Sequence, residues 1–137
     1  MAAQLKLRES VRTNNVFNAR FSLREGADVN HHQPTESPCI ILAVIAGHAE
    51  MVSALAASKA DLEAHEGGRS ALHFAAEKND VAVADVLLSS RAEVDAIDQA
   101  NCGETPLVKA ARMGHYEVAA LLVSRRANVE ARIHSQR

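Results

Sequence analysis

The histidine and cysteine side chains are the groups in this chain best suited to metal binding or nucleophilic chemistry. His31 and His32 are adjacent, but no third ligand stands at the spacing that a metal site requires. Cys39 and Cys102 are far apart in the chain and belong to no C-x-x-C motif. The spacing therefore favours solvated loop histidines and reduced thiols, and it predicts neither a metal site nor a cofactor.

Catalysis also lacks a sequence signature. The chain contains no nucleophile elbow, no glycine-rich phosphate loop opening a helix and no HExxH motif. A catalytic role for His73 would need a nucleophile or a carboxylate beside it in a cleft, and no motif supplies one. We therefore expect that the protein is not an enzyme.

Charge and hydropathy narrow the class of partner. The 137 residues include 15 Lys and Arg against 17 Asp and Glu, a formal net charge of −2, which argues against nucleic acid as a partner. No apolar run approaches the roughly 20 residues of a membrane span, and the first residues lack the apolar segment of a signal peptide. We expect an intracellular protein, cytoplasmic or nuclear, without membrane insertion.

The sequence contains an internal repeat, whose structural units must position the histidine and cysteine side chains. Four similar tetrapeptides begin 33, 32 and 35 residues apart: Ala27-Asp28-Val29-Asn30, Ala60-Asp61-Leu62-Glu63, Ala92-Glu93-Val94-Asp95 and Ala127-Asn128-Val129-Glu130. A period near 33 indicates stacked structural repeats. Aromatic residues make up 3% of the chain and Trp is absent, which suits closely packed helices with a core of Ala, Leu, Val and Ile.

The last repeat carries the clearest motif. Thr105-Pro106-Leu107, Ala110-Ala111, Gly114-His115, Glu117-Val118 and Leu121-Leu122 follow in the order and spacing of the ankyrin consensus, and residues 70–76 form a second copy. The chain therefore resembles the ankyrin repeat family over nearly its full length. The resemblance implies an all-α repeat solenoid of ankyrin-type helix-turn-helix pairs with β-hairpin fingers. It also implies a single domain, residues 1–137, with repeats at about 3–32, 36–65, 68–97 and 103–132.

The resemblance also gives the histidines their roles. His73 matches the family's structural histidine, which hydrogen-bonds within and between fingers. His115 and Glu117 belong to the family's turn between helices and not to an acid–base pair.

Some positions depart from the family pattern. The family usually ends its second helix with Gly, where this chain has Lys59, Arg91 and Arg126 and only Gly26 conforms. A non-glycine residue at positive φ costs on the order of 1 kcal/mol, so we expect a less stable array than the consensus. Asn79 replaces the glycine that ends a first helix, and Asn tolerates the left-handed region.

The second repeat is unusually apolar. Residues 39–46, Cys-Ile-Ile-Leu-Ala-Val-Ile-Ala, include no charged or amide side chain, unlike an amphipathic surface helix. If Pro38 opens this helix, some of Ile41, Val44 and Ile45 face the concave groove, unless the first repeat or a finger covers them. Counting back from Gly47 places Pro38 at the family's Thr position, whereas matching residues 37–38 to Thr-Pro leaves one extra residue, and both frames stay open.

The two ends of the chain also differ from the family's repeat pattern. The first unit reads as an N-terminal cap, because an end repeat presents a more polar outer face. Residues 131–137 resemble the start of another finger, and no polar capping repeat follows. We expect further ankyrin repeats or a dimer partner at the C-terminal end, and favour an excerpt from a longer array.

The resemblance implies a protein–protein interaction module, a scaffold or adaptor, that binds a protein partner through the concave surface of its fingers and first helices. The positions that match the family's contact residues are Arg69, Phe74, Glu77, Lys78, Gln99, Glu104, Lys109, Arg112 and Met113. Phe74 and Met113 would be apolar anchors, and Lys109 and Arg112 would meet acidic groups on the partner.

Three alternatives stay open. The length and repeat number resemble those of four-repeat ankyrin inhibitors of cyclin-dependent kinases, which implies a stoichiometric inhibitor of a kinase or other enzyme. The array is alternatively the targeting domain cut from a larger ankyrin-containing enzyme or channel. Val29-Asn30 also resembles the dipeptide that asparaginyl hydroxylases modify in ankyrin repeats.

Overall fold

The computed structural model describes residues 2–130, where the helices follow one another in four successive pairs. The pairs are α1 (Ala2–Arg12) with α2 (Val16–Arg24), α3 (Cys39–Ala46) with α4 (Ala49–Ala57), α5 (Ala71–Glu77) with α6 (Val81–Ser89), and α7 (Pro106–Met113) with α8 (Tyr116–Ser124). A short antiparallel hairpin, β1 (His65–Glu66) and β2 (Arg69–Ser70), precedes α5. The predicted repeat solenoid with hairpin fingers is confirmed. The predicted finger-like segment 131–137 lies outside the described residues.

Polar side chains fix the starts of several helices. Thr105 Oγ1 accepts a hydrogen bond from Val108 N–H at 3.3 Å, and Pro106 occupies the first turn, where no N–H is needed. Ser70 and His73 form a reciprocal capping pair at the start of α5. These local interactions explain why the opening motif predicts the helix boundaries.

Left-handed residues end the second helices. Gly26 follows α2 at φ 105°, while Lys59, Arg91 and Arg126 follow α4, α6 and α8 at φ 69°, 73° and 71°. The prediction that three basic residues hold this conformation is confirmed. Asn79, which ends the turn after α5, also has positive φ, 54°, as predicted.

The helices form two layers. First helices α1, α3, α5 and α7 pack side by side in chain order, and second helices α2, α4, α6 and α8 pack behind them. A continuous core runs between the layers, and its fully buried aliphatic side chains include Leu7, Ile40, Ile41, Leu55, Leu72, Leu87 and Leu122. Each repeat therefore buries its apolar face against its neighbours.

The frame of the second repeat follows from the start of α3. Pro38 immediately precedes α3, in the position that Thr105 has before α7, so Pro38 stands at the family's Thr position. Ile41 and Val44 are fully buried because α3 packs between α1 and α5, whereas 36% of Ile45 is exposed. Of these three apolar side chains, Ile45 reaches the surface.

The fingers of the third and fourth repeats contact each other. Gln99 N–H donates to the carbonyl of Gly68 at 3.0 Å, and Asp98 pairs with Glu104 in an isolated bridge that closes the fourth finger. A Cβ atom on Gly68, at φ +84°, would lie 2.6 Å from the backbone nitrogen of Ala100. The close approach of the two fingers therefore requires glycine at this position.

Candidate functional site

Six charged side chains interact on the first-helix and finger surface of the third and fourth repeats. We call this group the charged cluster: Arg69, Glu77, Asp98, Glu104, Lys109 and Arg112. Arg69 and Asp98 come from the two fingers, whereas Glu77 ends α5 and Lys109 lies in α7. The cluster contains three cations and three carboxylates, so its formal charge is zero.

Lys109 lies at the centre of the charged cluster. Its Nζ is 3.3 Å from Glu104 Oε1, 3.5 Å from Asp98 Oδ2 and 3.7 Å from Glu77 Oε2. Only 4% of the residue is exposed. The three surrounding carboxylates offset part of the desolvation cost of burying this ammonium group.

Arg112 closes the outer side of the charged cluster. Its Nε donates to Glu104 Oε2 at 2.6 Å and its Nη2 donates to Oε1 at 3.3 Å, a two-point contact. This hydrogen bonding holds the pKa of Glu104 below its usual value, with Lys109 acting in the same direction and burial opposing both. The Glu104 carboxylate is therefore ionised and paired with both Lys109 and Arg112.

Asp98 is fully buried in the turn of the fourth finger. Burial alone would raise its pKa, but hydrogen bonds from Asn101 and from Ala100 N–H, together with the charge of Lys109, outweigh burial and lower the pKa. The Asp98 carboxylate therefore stays ionised and orders the finger.

Arg69 links the charged cluster to an aromatic ring. Its Nη1 donates to Glu77 Oε2 at 2.6 Å, and its guanidinium carbon lies 4.5 Å from the ring centroid of Phe74. This distance is that of a cation–π contact. Phe74 is 7% exposed, so the ring is largely covered.

His73 ties α5 to the fourth finger. Its Nδ1 accepts from Ser70 N–H at 3.2 Å, so the proton resides on Nε2, which donates to the carbonyl of Glu104 at 2.8 Å. Burial lowers the pKa of His73, with the Glu104 hydrogen bond opposing part of the effect. The predicted structural role of His73 matches these contacts within and between fingers.

The nine residues matched to family contact positions divide by burial. Lys78, Gln99, Arg112 and Met113 are exposed, and Arg69 and Glu77 are half-buried. Phe74, Glu104 and Lys109 are buried, which differs from the open surface positions expected from sequence. The reason is that Glu104 and Lys109 pair with other members of the charged cluster, and the Phe74 ring packs against the Arg69 guanidinium.

Sequence reasoning missed Asp98. It lies beside the expected residues in the longer fourth finger, and its contacts with Asn101 and Lys109 organise the charged cluster. The signal was an Asp followed three residues later by Asn, because Asp side chains commonly accept from backbone N–H groups just downstream in a turn.

The described residues offer little for chemistry. Within residues 2–130, no group of three or more His, Cys, Asp or Glu side chains is arranged to hold a metal ion. Cys39 and Cys102 are not in a disulfide, and burial raises the pKa of the Cys39 thiol, which disfavours the nucleophilic thiolate. In the same range, no helix has the length and apolarity to cross a bilayer.

Comparison with known families assigns the fold. A model described as ankyrin repeats in three copies matches residues 7–98, and a single ankyrin repeat model matches residues 102–134. The chain belongs to the ankyrin repeat family. Ankyrin repeat domains are generally non-catalytic modules for protein interaction, and nothing in this array shows catalytic activity.

Several similar ankyrin proteins are much longer. An ankyrin repeat protein of Fowlpox virus (strain NVSL) is 30% identical over 125 residues, covering 90% of this chain and 28% of its own. XBOS33 of Oryza sativa subsp. japonica, named as an E3 ubiquitin-protein ligase, is 37% identical over 81 residues, covering 59% of this chain and 15% of its own. XBAT33 of Arabidopsis thaliana, also named as an E3 ubiquitin-protein ligase, is 41% identical over 63 residues, covering 46% and 12%. The chain spans less than a third of each relative.

Proposed function

We propose that this ankyrin array binds a protein partner through the concave surface of its third and fourth repeats. The observation that supports this most is the charged cluster. Its ion pairs join Arg69 of the third finger to α5 and Glu104 of the fourth finger to α7, and the Lys109–Glu77 pair joins α7 to α5. A surface that is already ordered loses little conformational entropy when it binds. The array therefore presents a rigid platform for a folded partner or a peptide.

The exposed residues make the contacts in this proposal. Met113, 43% exposed, is the apolar anchor, and Arg112 offers a cation whose side chain remains 54% exposed beyond its pairing with Glu104. Lys78 and Gln99 extend the contact along α5 and the fourth finger. Acidic groups on the partner would meet Lys78 and Arg112.

The remaining matched residues support the surface from below. Phe74, Glu104 and Lys109 fix the positions of the exposed side chains, and Arg69 and Glu77 form its half-buried edge. Truncating Phe74 would therefore remove buried contacts and lower stability as well as affect binding. A clean test of binding leaves these five residues intact.

The test compares two triple variants in affinity capture with quantitative mass spectrometry. The concave variant carries Lys78→Ala, Gln99→Ala and Met113→Ala, and the control variant carries Arg126→Ala, Asn18→Ala and Val123→Ala, all at exposed positions. Both should unfold at similar urea concentrations. The wild type and the control should capture the same proteins, and the captured amount of each should be at least tenfold lower with the concave variant. Equal capture by all three proteins would refute the proposal.

The relatives favour a second, compatible role, in which the array recruits a protein for a larger polypeptide. This chain corresponds to 28%, 15% and 12% of the three relatives, two of which are named as E3 ubiquitin-protein ligases. Sequencing the coding region on both sides of the chain tests this role. A catalytic domain in the same reading frame would support it, and stop codons on both sides would exclude it.

A further inference from the structure

A second open groove lies on the opposite layer, between the second helices of the first two repeats. A cavity of about 600 Å³ opens there. Its lining includes the cationic residues Arg20, Arg24 and Lys59 and the small or apolar residues Leu23, Ala54 and Ala57. The groove thus combines a cationic rim with an apolar floor.

The three cations have no partners of their own in the described structure. Within residues 2–130, the side chains of Arg20, Arg24 and Lys59 form no ion pair and no hydrogen bond. Asp28 is the acidic residue in the lining, and its Oδ1 already accepts from Asn30 N–H at 2.9 Å. The groove therefore carries an excess of positive charge.

The corresponding groove between α6 and α8 shows how such a site is filled. There the guanidinium of Arg125, just after α8, pairs with Asp85 and lies 3.5 Å from Ser89 Oγ. Asp85 is the fifth residue of α6 and Ser89 the ninth. An ion pair built into the chain therefore bridges the two second helices at that junction.

The groove between α2 and α4 has the opposite charge at the same helix positions. Arg20 and Arg24 are the fifth and ninth residues of α2, where α6 has Asp85 and Ser89. Ser58 follows α4 where Arg125 follows α8. The groove between α2 and α4 is open because Ser58 is too short to bridge the two helices. Its rim carries Arg20 at the position where α6 carries the carboxylate of Asp85.

We propose that this groove docks an acidic segment of a protein partner, independently of the concave surface. Arg20 and Arg24 are four residues apart, so they share one helix face and can each take a carboxylate through a two-point contact. An apolar side chain of the segment packs on Leu23, Ala54 and Ala57. The apolar floor favours a peptide over a simple anion.

The test is a titration of the ¹⁵N-labelled chain with an end-blocked peptide, Glu-Glu-Leu-Glu-Glu-Leu, followed by NMR. Amide shifts should concentrate at residues 20–24 and 57–59. Arg20→Ser with Arg24→Ala, which copies Ser53 and Ala57 of the second repeat, should raise Kd at least tenfold. Arg91→Gly with Arg126→Gly removes the same charge from other exposed sites and should change Kd less than twofold.

A second variant rebuilds the closed junction. Arg20→Asp with Ser58→Arg recreates the pairing of Asp85 with Arg125, so the chain should stay folded while the groove fills and peptide binding is lost. Retained binding by this folded variant, or equal binding of a Gln-Gln-Leu-Gln-Gln-Leu peptide, would overturn the proposal. Binding of a phosphoserine peptide without any binding of the glutamate peptide would also overturn the carboxylate assignment.

Discussion

His73 Nε2 donates to the backbone carbonyl of Glu104 at 2.8 Å, joining residues 31 positions apart in the chain. The same carbonyl accepts Asp98 N–H at 2.8 Å, so one oxygen connects α5 to both sides of the bridge that closes the fourth finger. This oxygen lies beneath the charged cluster, whose Glu104 carboxylate contacts Lys109 and Arg112. Glu104 therefore takes part both in the hydrogen bonds that hold the finger, through its carbonyl, and in the surface ion pairs, through its carboxylate.

The folded chain should lose stability through His73 as the pH falls below about 6.5. Its pKa is lowered by burial in the folded state, while in the unfolded state it is about 6.5. Below that pH the unfolded chain binds more protons, so the free energy of unfolding falls as pH falls. Urea unfolding at several pH values should show this fall.

Two variants separate His73 from other titrating groups. His73→Asn should flatten the pH dependence over this range, whereas His31→Gln, at an exposed position, should preserve it. A wild-type chain with constant stability from pH 7 to pH 5 would disprove the role of His73. Losses through Asp98 and Glu104 come at lower pH, below about 4, because their pKa values are lowered in the folded state.

Lys109→Met should destabilise the array by about 3–5 kcal/mol, because it leaves the buried carboxylates of Asp98 and Glu104 without their central cation. Lys78→Met, at an exposed position, should change stability by about 0.5 kcal/mol or less. Urea denaturation measures both. A loss below about 1 kcal/mol for Lys109→Met would show that the charged cluster contributes little to folding.

Replacing the three basic left-handed residues with glycine should stabilise the array. Lys59, Arg91 and Arg126 have φ near 70°, and each change to Gly should contribute about 1 kcal/mol by relieving steric strain. Lys78→Gly is the control, since Lys78 has φ −90° and gains nothing from glycine. Thermal unfolding should show a raised Tm for the triple variant, and an unchanged or lowered Tm would contradict the strain argument.

Gly68→Ala should separate the third and fourth fingers. The new Cβ would approach Ala100 N to 2.6 Å, whereas a Cβ on Gly67 would meet nothing within 4 Å. Both glycines have positive φ, so Gly67→Ala controls for backbone strain alone. Hydrogen exchange at the Gln99 amide, which donates to Gly68, should accelerate in Gly68→Ala and not in Gly67→Ala. Equal exchange in the two variants would refute the steric argument.

Short sequence motifs predicted the fold well because the interactions that they encode join residues close together in the chain. The Thr105-Pro106 start, the hydrogen bonding of His73 within its own finger and the left-handed Lys59, Arg91 and Arg126 depend on neighbouring residues, and the structure agrees with each. The regular spacing of the repeats then determines which helices stack.

The candidate surface was harder to predict because burial there depends on contacts between repeats. Lys109 occupies in α7 the position that Phe74 occupies in α5, and both side chains are buried. The carboxylates around Lys109 come from α5 and the fourth finger, which sequence spacing does not place side by side. The burial of Ile41 and Val44 likewise depends on the positions of α1 and α5.

Site-specific photocrosslinking tests the concave binding surface most directly. A benzophenone amino acid is introduced at Met113 on the concave surface or at Val123 on α8, residues of similar exposure at 43% and 49%. The proposal predicts that irradiation in cell extract yields a discrete crosslinked partner from position 113 and none from position 123. Crosslinking from position 123 alone, or the same products from both positions, would contradict it.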